Sequence, residues 1–240
     1  MISNKKMTNK RALRIQKLEE RQLMVGQVMA SMGSGGTLQV AGSDSGEFIR
    51  VVQVGSEIRV SVQYNQPFAR FNANQVRSLQ VSMNGGNDKL EVNLPNKALD
   101  SFFVDMGRGA GEEAYLTFNT ANSLNVRAID SLHTDVQATG SVNRDAVFDF
   151  GNDMGDDELM IGRNSSINNL RVNMGGGADF VQLHSSRVGY ANINMGSGDD
   201  RFTNAWNSQV SSGIIDGGPA DKRNTWRGNK FGSGVTVRGF

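Results

Sequence analysis

The sequence predicts an all-β chain, a right-handed parallel β-helix of about seven coils of about 22 residues each, preceded by a strand-rich N-terminal cap. An alternating apolar triplet returns at Leu79-Val81-Met83, Phe102-Val104-Met106, Leu124-Val126-Ala128, Ala146-Phe148-Phe150, Leu170-Val172-Met174, Ala191-Ile193-Met195 and Gly213-Ile215-Gly217. Its central positions are 23, 22, 22, 24, 21 and 22 residues apart. A fixed period in this range marks a solenoid, in which no repeat can bury its apolar face alone. Most triplets run into a corner of Gly and acid, such as Gly175-Gly176-Gly177-Ala178-Asp179 and Gly196-Ser197-Gly198-Asp199-Asp200. The composition agrees, with 29 Gly but 3 Pro in 240 residues, which supplies turns without breaking strands.

Residues 1–35 read as a basic leader, cleaved or disordered. Lys5, Lys6, Lys10, Arg11, Arg14, Lys17 and Arg21 stand against Glu19 and Glu20, while the whole chain carries only +1, so the body is net acidic. A nucleic-acid partner would need the basic residues on the folded body and is not expected. Leu23 to Gly33 follows the basic run as an export signal with a poor hydrophobic region would; an amphipathic helix or a basic tail reads equally well. No apolar run approaches the ~18–20 residues of a transmembrane segment. With no cysteine there is neither a disulfide nor a thiolate site.

Residues 36–77 form the expected β cap. Phe48-Ile49-Arg50-Val51 and Ile58-Arg59-Val60-Ser61-Val62 alternate and are joined through Gly55-Ser56, which predicts a hairpin. Residues 78–240 form the repeat domain. In each triplet the apolar residues are two apart, the period of a strand with one buried side. A second apolar stretch follows most corners, as in Leu90-Glu91-Val92, Leu159-Met160-Ile161 and Phe180 to Leu183, and the remaining Asn and Ser-rich residues close the turn. Met83, Met106, Met174 and Met195 recur at one core position, where the adaptable thioether fills gaps.

Arg14 to Met24 resembles the Leu-Glu-x-Arg-x-Leu-Leu/Met (LEPR-XLL type) N-terminal element of secreted and surface proteins of planctomycete-type bacteria, with Glu20 in place of the frequent Pro. Gly36 to Val51 is similar to the opening unit of their degenerate hemolysin-type repeats. Asn224-Thr225-Trp226 with Val235 to Phe240 is similar to the closing unit. The resemblance implies a secreted or cell-surface location.

Hemolysin-type (RTX) repeats follow Gly-Gly-x-Gly-x-Asp-x-apolar-x and hold calcium between turns. The corners of the fifth and sixth coils come close to that pattern, and Asn84 to Leu90 matches it less well. The resemblance implies calcium held by Asp179, Asp199 or Asp200 with the carbonyls of Gly175, Gly177, Gly196 and Gly198. Calcium takes six to eight oxygens at about 2.3–2.6 Å, so adjacent corners would have to converge. The alternative is that these Asp and Asn form Asx turns.

On the outward side of the first strand, Ser82, Asp105, Arg127, Asp149, Asn173, Asn194 and Asp216 form a column. There Arg127 is expected between Asp105 and Asp149, an arrangement similar to the acid and Arg cluster of β-helical polysaccharide lyases. Cross-strand charge pairing, at ~0.2–1 kcal/mol per pair, is the favoured reading of the column. His133 and His184 fall in different coils, and no Gly-x-Ser-x-Gly elbow occurs. The expected function is that of an exported non-enzymatic surface, matrix or adhesion module, calcium-stabilised, with an extracellular polysaccharide or surface protein as partner. The alternative is a pectate-lyase-like, polysaccharide-active enzyme using the outward strand face.

Overall fold

Alternate side chains of a strand point to opposite sides, so each triplet commits one side to an interior. In the computed structural model, which describes residues 23–25, 28–63, 67–129, 131–219, 224–229 and 231–240, these triplets stack rung on rung in parallel. Leu38, Leu79, Phe102, Leu124, Ala146, Leu170, Ala191, Gly213 and Val235 are successive partners on this front face. Seven coils from residue 78 onward are thus flanked by one further parallel rung at each end. The central residues from Val81 to Ile215 are at most 4 % exposed, and Met83, Met106, Met174 and Met195 are fully buried. Each such side chain contributes roughly 1.5–3 kcal/mol by leaving water, so the continuous column holds the stack together.

After the Gly corner each coil turns onto a second face. Its inward column runs Ile49, Leu90, Ala114, Val136, Leu159, Val181, Phe202 and Trp226. The Asn and Ser-rich remainder, expected only to close the turn, adds a third face. Leu99, Ala121, Val142, Ile167, Val188 and Val210 stack there in parallel register and are buried. A single inward residue per coil suffices because this side is short, which is why alternation did not reveal it.

The cap contains the expected hairpin, Phe48–Val54 antiparallel to Glu57–Val62, with Ala69–Asn72 on its outer edge. On the front face Val28–Met32 pairs antiparallel with Thr37–Ala41, and Leu23–Val25 pairs with residues 28–30. Folded structure therefore includes residues on the leader side of position 36, and Val28 and Ala30 belong to the core. Antiparallel strands cover both faces at this end, which keeps the first parallel rungs from being open edges. At the far end Trp226 stacks on Phe231 (ring centroids 5.5 Å apart), which packs against Phe202. The basic residues of the leader and Asp130 of the third corner lie outside the described residues. No helix among the described residues is long and apolar enough to cross a membrane.

Candidate functional site

Strand register brings the outward column together as the sequence predicts. Asp105, Arg127 and Asp149 are direct neighbours on adjacent rungs. Arg127 nevertheless bonds to one of the two acids: its Nη2 donates to Asp105 Oδ2 at 2.6 Å, while Asp149 accepts from Asn173 Nδ2 at 3.0 Å. Asn173 in turn accepts from Asn194 Nδ2 at 3.2 Å, and Asp216 pairs with Arg238 at 2.6 Å. Each of these acids also caps a corner through its Oδ1. The N–H groups of Gly107, Gly151 and Gly218 donate to Asp105, Asp149 and Asp216 Oδ1, each two residues back. These are Asx turns, in which the short carboxylate holds a glycine at positive φ. The acids of the column are therefore engaged by backbone N–H groups together with Arg127, Asn173 or Arg238.

Concavities lie along this face of the described residues. One of about 210 Å³ is bordered by Met29, Ser31, Gln39, Gln80 and Ser82. One of about 450 Å³ includes Asp44, Ser82, Asn84, Asp105, Arg108 and Arg127. One of about 310 Å³ includes Asp149, Arg171, Asn173, Asn192 and Asn194. Ser82 borders both of the first two, which therefore adjoin. The polar part of the lining is amide, hydroxyl, carboxylate and guanidinium, chemistry that bonds hydroxyl-rich ligands, and it is interleaved with Met29, Val40, Ala41 and Ile129.

A second column is inward and was not foreseen as a unit. Two residues before the first inward apolar residue of each second-face strand stand Asp88, Glu112, Thr134, Asp157, Asp179, Asp200 and Asn224. That spacing keeps the parity of the strand, so the side chains point to the interior; the five acids are at most 2 % exposed. Each acceptor reaches back one coil. The N–H groups of Glu47, Asp88, Thr134, Asp157, Asp179 and Asp200 donate to Asp88, Glu112, Asp157, Asp179, Asp200 and Asn224, at 2.7–3.1 Å. One oxygen of every acid is spent this way. The other, in Asp88, Glu112, Asp157, Asp179 and Asp200 alike, is buried without a partner. Burial pushes Asp88 and Asp157 up to about 7, Glu112 and Asp179 up to about 8, and Asp200 up to about 6. Desolvation opposes the anion, and neighbouring acids add to it.

The residues predicted to hold calcium divide between two settings. Asp179 and Asp200 belong to the buried column and stack directly, whereas Asp199 is exposed. Gly175, Gly177, Gly196 and Gly198 form the corners at φ 93, 125, 87 and 138°. The two corners are bonded to each other: Ser197 N–H donates to Gly175 O at 3.0 Å, and Gly177 N–H to Ser197 O at 2.9 Å. All donors here are hard oxygens, and the unpartnered Asp179 Oδ2 and Asp200 Oδ2 have the chemistry calcium requires. Among the described residues no three Asp, Glu or His side chains converge on a metal position. Carbonyls and water would have to complete the shell.

His133 Nδ1 contacts the Asp156 carbonyl, and His184 lies edge-on to Trp206 with centroids 5.6 Å apart. Trp206 is 68 % exposed on its corner, and Trp226 belongs to the aromatic end packing described above. No family model, curated protein or solved structure matches the chain.

Proposed function

We propose that this β-solenoid is an exported, non-enzymatic binding module of a cell surface or matrix, and that its front face binds an extended extracellular polysaccharide. The observation that carries the reading is the succession of concavities along the outward column, each lined in part by amide, hydroxyl or charged side chains, with Ser82 shared by two of them. Asp105 is engaged by the Gly107 N–H and Arg127, and Asp149 by the Gly151 N–H and Asn173, which suits a face that hydrogen-bonds hydroxyls. Export is supported by the basic N-terminal run and the resemblance of Arg14 to Met24 to the N-terminal element of secreted and surface proteins.

The test is to express the full chain, locate it by fractionation and apply the folded protein to a panel of linear polysaccharides and surface proteins. The expected result is recovery outside the cytoplasm and retention of a polysaccharide without cleavage. Arg127→Ala should weaken retention roughly tenfold, the effect of one lost charged contact. Shortened or unsaturated sugar products would make the same face an enzyme site. Cytoplasmic retention, or binding confined to a surface protein, would overturn the respective part.

The proposal includes a structural calcium ion between the fifth and sixth coils, held by Asp179 and Asp200 with corner carbonyls. Two buried carboxylates, each with an unpartnered oxygen, support it. A ligand bound to the folded state at a hundred times its Kd adds about 2.7 kcal/mol. At this chain length that raises Tm by roughly 5–11 °C. The rise should vanish in Asp179→Asn, Asp200→Asn and be small with magnesium, which demands a tighter octahedral shell. A melting curve indifferent to calcium and chelator would leave both acids as backbone acceptors only.

A further inference from the structure

The last rung of the buried column shows what the position is built to accept. Asn224 uses its Oδ1 to take the Asp200 N–H, and its Nδ2 donates to the carbonyls of Gly217 and Gly239. One side of the group is an acceptor and the other a donor. Glu112, in the second coil, meets the same demand only if it carries a proton. Its Oε2 takes the Asp88 N–H at 3.1 Å, and its Oε1 is buried with no partner. A Cβ placed on Gly109 would lie 1.8 Å from that Oε1 and 1.8 Å from the Gly86 carbonyl oxygen. The missing side chain of Gly109 therefore leaves a cradle in which two acceptor oxygens face each other. As an anion Glu112 would press a charge against a carbonyl lone pair out of water; as an acid it bonds to it.

We infer that Glu112 is a carboxylic acid kept protonated at neutral pH, donating Oε1–H to the Gly86 carbonyl, and that its ionisation loosens the join between the first and second coils. The proton is thus a latch sensitive to alkali. From the preceding coils Asp44, Glu47, Asp88 and Lys89 border this corner, from its own coil Arg108 and Glu113, and from the next His133, whose carbonyl accepts the Glu112 N–H at 2.9 Å. Lys89 is bonded to Glu113 on the outward side at 2.6 Å. Burial and then the charge of Asp88 push Glu112 up to about 8 from an ordinary 4.5. The folded value is raised, so the stabilisation is complete below about 4.5, falls as pH rises, and is gone above about 8.

The experiment follows the carbon-13 resonance of the Glu112 carboxyl through a pH titration of the folded protein, beside melting curves of the parent and Glu112→Gln. The amide keeps both acceptor and donor, as Asn224 does. The expected results are a Glu112 midpoint near 8 and, in the variant, a loss of about one proton from the pH dependence of stability between pH 5 and 8. A midpoint in the ordinary glutamate range with the corner intact would overturn the inference. So would millimolar calcium that ionises Glu112 and raises Tm in the parent but not in Glu112→Gln, because the cradle would then hold a cation. The resonance is read on the parent, so the inference stays exposed to refutation even if the variant fails to fold.

Discussion

Val172→Asp is expected to lower the stability of the solenoid by about 3–5 kcal/mol, the cost of an uncompensated buried charge. Val172 is 4 % exposed and lies between Phe148 and Ile193 on neighbouring rungs, and no Lys or Arg is buried among the described residues. A carboxylate there meets methyl groups and rings. It cannot reach a backbone N–H as the acids of the buried column do, because those sit at the corner and Val172 sits mid-strand with its neighbours' N–H groups committed to the ladder. At this chain length the loss corresponds to a Tm roughly 6–20 °C lower. Asn192→Asp, one rung away on the exposed side and beside Arg171, should change stability by less than about 0.5 kcal/mol. Equal melting of Val172→Asp and the parent would mean that the front-face register is wrong.

The front face was legible because period and alternation agree there: one residue in two is apolar, and the spacing from coil to coil holds within 21 to 24. The third face was not, since Ile167 or Val188 alone among Ser, Asn and Arg gives no period to detect. The outward column could be aligned from sequence, but not the partner Arg127 takes. Register places it equally between Asp105 and Asp149, and side-chain geometry that alternation does not encode gives Arg127 to Asp105 and the Asn173 amide to Asp149. The buried acids escaped for a different reason. Their distances from the preceding glycines vary, as in Gly85-Gly86-Asn87-Asp88 against Gly109-Ala110-Gly111-Glu112, so reading forward from the corner makes them turn formers. Counting back from Leu90, Ala114, Leu159, Val181 and Phe202 aligns them, and the parity of the strand then turns them inward.

The corner glycines differ sharply in what they permit, although Gly-x-Gly runs look alike in the sequence. Gly198 sits at φ 138°, where an L side chain is strained, and a Cβ on it would lie 1.7 Å from the carbonyl oxygen of Gly177 in the coil below. Rungs of a parallel stack are held about 4.8 Å apart by the ladder bonds of both faces, so that oxygen can retreat only if the coils separate. Gly198→Ala therefore adds about 1–3 kcal/mol of backbone strain to a clash relieved only by breaking corner contacts, for a total of at least about 3 kcal/mol. Gly111 offers the opposite case: its φ is not positive, and nothing lies within 4 Å of a Cβ there. Gly111→Ala should be neutral or stabilising by about 0.4–1 kcal/mol, through loss of freedom in the unfolded chain. Thermal melts of the two variants side by side test the packing of the corners directly. Similar behaviour would show that the coils are not stacked as closely at the Gly177–Gly198 corner as this geometry requires.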